Sequence, residues 1–183
     1  MRVPRTFVFC DLTGFTNFTA QQGDNAAGRL LANFRAATRA VASDRGVRIA
    51  KWLGDGAMIV CLDPVDALAA ALELESRTAI VCTPLALRAG IAGGLALLFE
   101  GDDYIGSAVN LAARLCDAAG PHEILLPAEQ AVDFPEWVAT TDVGTLALRG
   151  FAEPIGVVAV SGTPPLTQRN DTGELWTRSP LVS

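Results

Sequence analysis

A chain of 183 residues, half of them apolar, is long enough to bury one sizeable core as a single domain. Its net charge of −6, with 20 acidic against 14 basic residues, excludes a general nucleic-acid binder, which needs a basic face for the phosphate backbone. A small polyphosphate, which needs only local positive charge and metal, is still compatible with that balance. No apolar run approaches the roughly 18 residues of a membrane-spanning helix.

The N-terminal MRVPRTFVFCDL lacks the layout of a signal peptide and runs straight into strand-like sequence, so a soluble, cytoplasmic protein is expected. Residues 5–11 read as a strand that ends in Asp11, and LTGFTNFT turns into a helical stretch. Asp24-Asn25 is placed to cap a longer helix, with Leu30, Leu31, Phe34, Ala37 and Val41 spaced for one buried face and Gly46 at its end. VRIAKWLGDGAMIVCL reads as a hairpin with its turn at Leu53-Gly54-Asp55-Gly56.

Asp63-Pro64 opens a helix over 64–79, and LALRAGIAGGLALLF is a strand with an expected bend at Gly93-Gly94. Gly101 to Asp103 form a polar turn. Ser107 to Ala119 read as a helix stopped by Gly120-Pro121, EILLP as a short strand, and 128–133 as a short helix. Strands near 137–148 and 155–161 close a domain expected to span 1–162, followed by a polar, proline-bearing tail over 163–183. Hairpins alternating with helices predict an α+β fold, with helices over one face of a mainly antiparallel sheet.

Cys10, Cys61, Cys82 and Cys116 form no CxxC pair and are read as buried thiols. The single histidine, His122, cannot build a histidine-rich metal site and is read as structural. Of the 14 basic residues only Lys51 is a lysine, which marks it as a candidate for a position that needs a compact ammonium.

Two aspartates stand at the ends of strands. If their strands are neighbours, Asp11 and Asp55 project at one rim, a pair of hard oxygen donors suited to magnesium or manganese. Either alone is ordinary turn chemistry. Leu12, Thr13, Gly14 and Phe15 lead into a helix, where a glycine lets backbone N–H groups approach a phosphate. Asn110 and Arg114, four apart, share a helix face that is either solvated or able to orient a ribose and meet charge on phosphorus. Leu111, Leu115 and Ala118 mark a separate apolar stripe of that helix.

In order, FVFCDLTGFT, KWLGDG, LRAGI and DYIGSAVNLAARL, with the closing GTLALRGFAEPIGVVAV, resemble the catalytic domain of the class III adenylyl and guanylyl cyclases over residues 5–161. The resemblance implies a ferredoxin-like antiparallel sheet with flanking helices. It implies an adenylate cyclase that converts ATP to 3′,5′-cyclic AMP and pyrophosphate on two Mg²⁺ or Mn²⁺ ions per site. Asp11 and Asp55 match the metal-binding aspartates, and the backbone from Leu12 to Phe15 the polyphosphate cradle. Lys51 and Asp103 match the purine-reading pair, Asn110 the ribose-orienting amide and Arg114 the transition-state arginine. Arg88 and Arg149 fall where basic phosphate contacts are often found.

A lysine ammonium donates to adenine N1 and an aspartate accepts from N6. Guanine presents the reverse, and cyclic-GMP-forming members carry glutamate in place of the lysine, so the pair implies ATP. In the family the metal aspartates come from one subunit and the other four groups from its partner, which implies a homodimer with two composite sites. Ala92, where a histidine is common, and the short 94–103 segment depart from the family pattern and bear on dimer strength. A non-catalytic cyclase-like module, a guanylyl cyclase and a cyclic-dinucleotide synthase are the competing readings.

Overall fold

The computed structural model describes residues 1–100 and 103–166. Strand β1 (Arg2–Thr13) is followed by helices α1 (Phe15–Gln22) and α2 (Asp24–Arg45), and by the hairpin of β2 (Arg48–Leu53) and β3 (Gly56–Cys61). Helix α3 (Pro64–Val81), strands β4 (Ala86–Phe99) and β5 (Asp103–Ile105), and helix α4 (Ser107–Ala118) come next. Strand β6 (Ile124–Pro127), a 3₁₀ turn (Ala128–Gln130), β7 (Val138–Leu146) and β8 (Ile155–Gly162) complete the fold.

The strands form one eight-stranded sheet in the order β2-β3-β1-β4-β6-β8-β7, with β5 paired to β4. Its first four strands, with α1–α3 as connections, are the ferredoxin-like core that the sequence implied. All pairings are antiparallel except β4 with β6.

The helices do not share one face of the sheet, as had been expected. Val8, Cys10 and Leu12 of β1 pack in a core cluster with residues of α2 and α3, such as Phe34, Val41 and Leu74. Phe7 packs in a second cluster with Leu111, Ala112 and Leu115 of α4. Successive strand residues point to opposite faces, and β1 carries apolar side chains at both parities, so each face has to be covered.

Two smaller expectations also change. Gly93-Gly94 does not bend β4, which runs unbroken through both. The Gln130 side chain accepts from the Gly93 amide at 2.7 Å and donates to its carbonyl at 3.1 Å, as a neighbouring strand would. The cap of α2 is Gly23, and Asp24 lies in the first turn, where its charge suits the helix dipole. Asp103 opens the short strand β5, and the other two residues of the expected Gly101-to-Asp103 turn lie outside the described residues.

The four cysteines are buried and unpaired. No helix among the described residues is long and apolar enough to cross a membrane. Of the expected tail, residues 163–166 are described, with Arg45 donating to the Pro165 carbonyl at 3.0 Å; residues 167–183 lie outside the described residues.

Candidate active site

The β2–β3 hairpin turns through two residues, Gly54 and Asp55, with Leu53 paired to Gly56. Only Gly54 has a positive φ, +67°, the glycine-first pattern of a tight hairpin turn. Because β3 pairs with β1 in the register Asp11↔Gly56, Asp55 is carried beside Asp11. Both line a recess of about 200 Å³ walled on its far side by Ala113, Cys116 and Asp117 of α4.

Burial first, and then the Asp11 carboxylate within hydrogen-bonding reach, hold the Asp55 carboxyl above the usual carboxylate range. Two carboxylates in one recess repel, and a cation relieves that cost. Arg88, paired with Asp11 across β4, supplies part of the relief. Its Nη2 meets Asp11 Oδ2 at 2.8 Å and its Nε the same oxygen at 3.3 Å.

The donor set fits a hard divalent cation. Carboxylate oxygens are its natural ligands, and the two nearby thiols are unsuitable because burial pushes them up, Cys116 to about 12 and Cys10 further. Among the described residues no group of three or more His, Cys, Asp or Glu side chains is placed to hold a metal. Ligands beyond Asp11 and Asp55 would therefore come from backbone carbonyl, water or phosphate oxygens.

The second cluster lies apart from the recess. Lys51 Nζ and Asp103 Oδ2 form an ion pair at 2.8 Å, each side chain 42% exposed. Lys51 holds the Asp103 carboxylate below its usual range, and the Tyr104 amide, donating at 2.8 Å, adds to this. Lys51 lies opposite Met58, a residue of the α4-side cluster. Asp11 alternates with Cys10 and Leu12, which face α2 and α3. Both clusters therefore open on the α4 side of the sheet.

On α4, Asn110 is exposed and Arg114 donates to Asp117 at 3.0 Å. Leu111 and Leu115 are buried as the apolar stripe required, whereas Ala118 is exposed and Ala108, Ala112 and Cys116 take the buried positions. Helix and sheet are in intimate contact at Gly90. A Cβ there would fall inside van der Waals distance of the Ala112 carbonyl oxygen and the Cys116 nitrogen, so only glycine admits α4 at this depth.

The segment before α1 offers backbone only. Leu12 is 1% exposed, and Thr13 donates its hydroxyl to the Ala86 carbonyl at 3.0 Å. Gly14 takes the left-handed conformation, φ 80°, and α1 starts at Phe15 without a side-chain cap, leaving its first N–H groups free of intrahelical partners. Arg149 stands exposed in the turn between β7 and β8 and does not line the recess. Asp117, which holds Arg114, went unmarked in the sequence, and its i+3 spacing was the available signal; Gly90 was marked only as part of LRAGI and not as the contact point of α4.

No protein-family model matches the chain. It is 36% identical over 156 residues to an uncharacterized protein of Mycobacterium tuberculosis, a match that covers 85% of this chain and 41% of that protein. It is 35% identical over 125 residues to the pH-sensitive adenylate cyclase of the same organism, covering 66% of this chain and 30% of the relative. The chain thus spans less than half the length of these relatives. The adenylyl cyclase CyaB of P. aeruginosa has the same fold, with a TM-score of 0.80 and 27% identity over 91% of this chain and 97% of that one. Guanylyl cyclases are also among the solved structures that share the architecture.

The fold is therefore that of a nucleotide cyclase catalytic core. The chain belongs to the class III adenylyl/guanylyl cyclase catalytic domains.

Proposed function

We propose that the domain is an adenylate cyclase, forming 3′,5′-cyclic AMP and pyrophosphate from ATP in a homodimer with composite sites. The observation that carries this reading is the crowding of Asp11 and Asp55 in one recess, which stores a demand for a divalent cation beside a helix start suited to phosphate. Bound there, two Mg²⁺ or Mn²⁺ ions would act as Lewis acids on the α-phosphate and make the 3′-hydroxyl easier to deprotonate.

The chain's own groups do the rest. The free N–H groups at the start of α1 receive the polyphosphate. Lys51 donates to adenine N1, and Asp103 accepts from the N6 amine. Asn110 fixes the ribose for in-line attack, and Arg114 meets the charge that grows on phosphorus. The recess of one protomer is lined by neither Lys51, Asp103, Asn110 nor Arg114, which supports a site completed by a second copy. The adenylate cyclases among the relatives support ATP as substrate.

Incubating the protein with Mn²⁺ and either ATP or GTP, then weighing the product, tests the reading. Cyclic AMP from ATP, with little cyclic GMP from GTP, is expected. Cyclic GMP as the main product, or no cyclic nucleotide at all, would overturn it.

A further inference from the structure

Arg88 does more than neutralise Asp11. Its Nη1 also donates to the backbone carbonyl of Asp117 at 3.1 Å, an oxygen in the last turn of α4 that has no partner within the helix. A guanidinium at that place caps the helix and suits the negative end of its dipole. One side chain, 26% exposed, therefore grips a metal-binding carboxylate with one edge and the end of α4 with the other. The planar fork of arginine spreads its donors over three nitrogens and so spans both acceptors, where an ammonium offers its donors from a single nitrogen.

The backbone around it is equally tied. The Cys116 thiol lies 3.8 Å from the Arg88 carbonyl, and Gly90, two residues on, is the contact point of α4. Under the composite-site reading, on which this inference rests, Asp11 serves one active site while Asn110 and Arg114 on the same protomer's α4 serve the other. We propose that Arg88 is a positioning residue linking the two sites of the dimer. It holds α4 in register through Asp117 and makes that hold depend on the state of Asp11. A change at Asp11 in one site is thereby felt by the ribose- and phosphate-orienting helix of the other. This role is distinct from a direct phosphate contact, because it acts on the site remote from Arg88.

Hydrogen exchange of the amides at the end of α4, residues 115–119, reads the link without nucleotide or metal. Arg88→Ala is expected to speed that exchange about tenfold, the worth of one charge-assisted hydrogen bond. Asp11→Asn should speed the same amides, and the double variant should add nothing to Arg88→Ala. Arg88→Lys, which keeps the charge and the fold, should restore part of the protection. Unchanged α4 exchange in Asp11→Asn, or fully additive effects, would overturn the proposal.

Mixed dimers separate the link from phosphate binding. Asp55→Ala protein mixed with Arg114→Ala protein leaves one complete site, whose α4 comes from the Asp55→Ala protomer. Adding Arg88→Ala to that protomer is expected to lower kcat about tenfold with KM for ATP unchanged. A phosphate contact alone would leave the mixture as active as before, and that result sinks the proposal. Failure of the starting mixture to recover any activity would instead sink the composite-site reading, while the exchange experiment still decides whether Arg88 couples Asp11 to α4.

Discussion

At Asp11 and Asp55 two carboxylates crowd a recess closed by α4, whereas at Lys51 and Asp103 opposite charges neutralise each other in an open setting. The first arrangement raises a carboxyl above its usual range and the second lowers one. The contrast teaches what each is built for. A crowded acid pair is unsatisfied until a cation arrives, while a preformed Lys–Asp pair already displays one donor and one acceptor side by side, at little cost to leave empty.

Breaking the crowded pair has the largest expected effect. Asp55→Ala or Asp11→Ala should lower kcat about a hundredfold or more with Mn²⁺ and ATP, since the stabilisation of charge at phosphorus depends on them. If either variant kept wild-type turnover, the recess would not be the catalytic centre. Lys51→Ala comes next. It should lower kcat/KM for ATP about ten- to a hundredfold and narrow the preference over GTP, the usual cost of removing one hydrogen bond that discriminates between bases. Unchanged discrimination would remove Lys51 from base recognition.

Gly90→Ala tests the wall of the recess. Overpacking at this depth should cost about 1–3 kcal/mol in urea unfolding and lower activity by displacing α4. Full stability would mean that α4 sits further from β4 than the structure has it.

The pH dependence sharpens the comparison further. Asp55 has a raised folded-state pKa, so the native protein binds its proton more tightly than the unfolded chain. Stability from this group is then greatest at acid pH and falls as pH rises from the ordinary carboxylate range through the folded pKa. In EDTA, Asp55→Asn should flatten that fall. Asp103 has the opposite sign, its contribution being present above the unfolded pKa and lost as pH drops. The smallest effect is expected of Lys51→Ala on folding itself, with no measurable change in the urea midpoint, because an exposed pair contributes little.

Much of this was legible in the chain. The apolar, β-prone run of FVFCD, the Gly-Asp turn and the helix stopped by Gly120-Pro121 are local patterns; the hairpin and that helix formed within one or two residues of the expected ends, while β1 starts three residues earlier, at Arg2. Expectations failed where a distant partner decided the outcome. Gly93-Gly94 reads locally as a bend, but Gln130, far along the chain, satisfies Gly93 as a strand would. Helix placement failed for a related reason, because burial of both faces of β1 is a property of the assembled sheet.

By itself the sequence determined the longer elements, the antiparallel core and which residue types carry chemistry, because periodicity, turns and caps act over a few neighbouring residues. Only the tertiary structure decided that Asp11 and Asp55 share a recess, that Lys51 meets Asp103, and that Arg88 reaches both Asp11 and the end of α4. Those contacts join residues separated by tens of positions, and strand register and the depth of α4 at Gly90 bring them within the few ångströms over which charges and hydrogen bonds act.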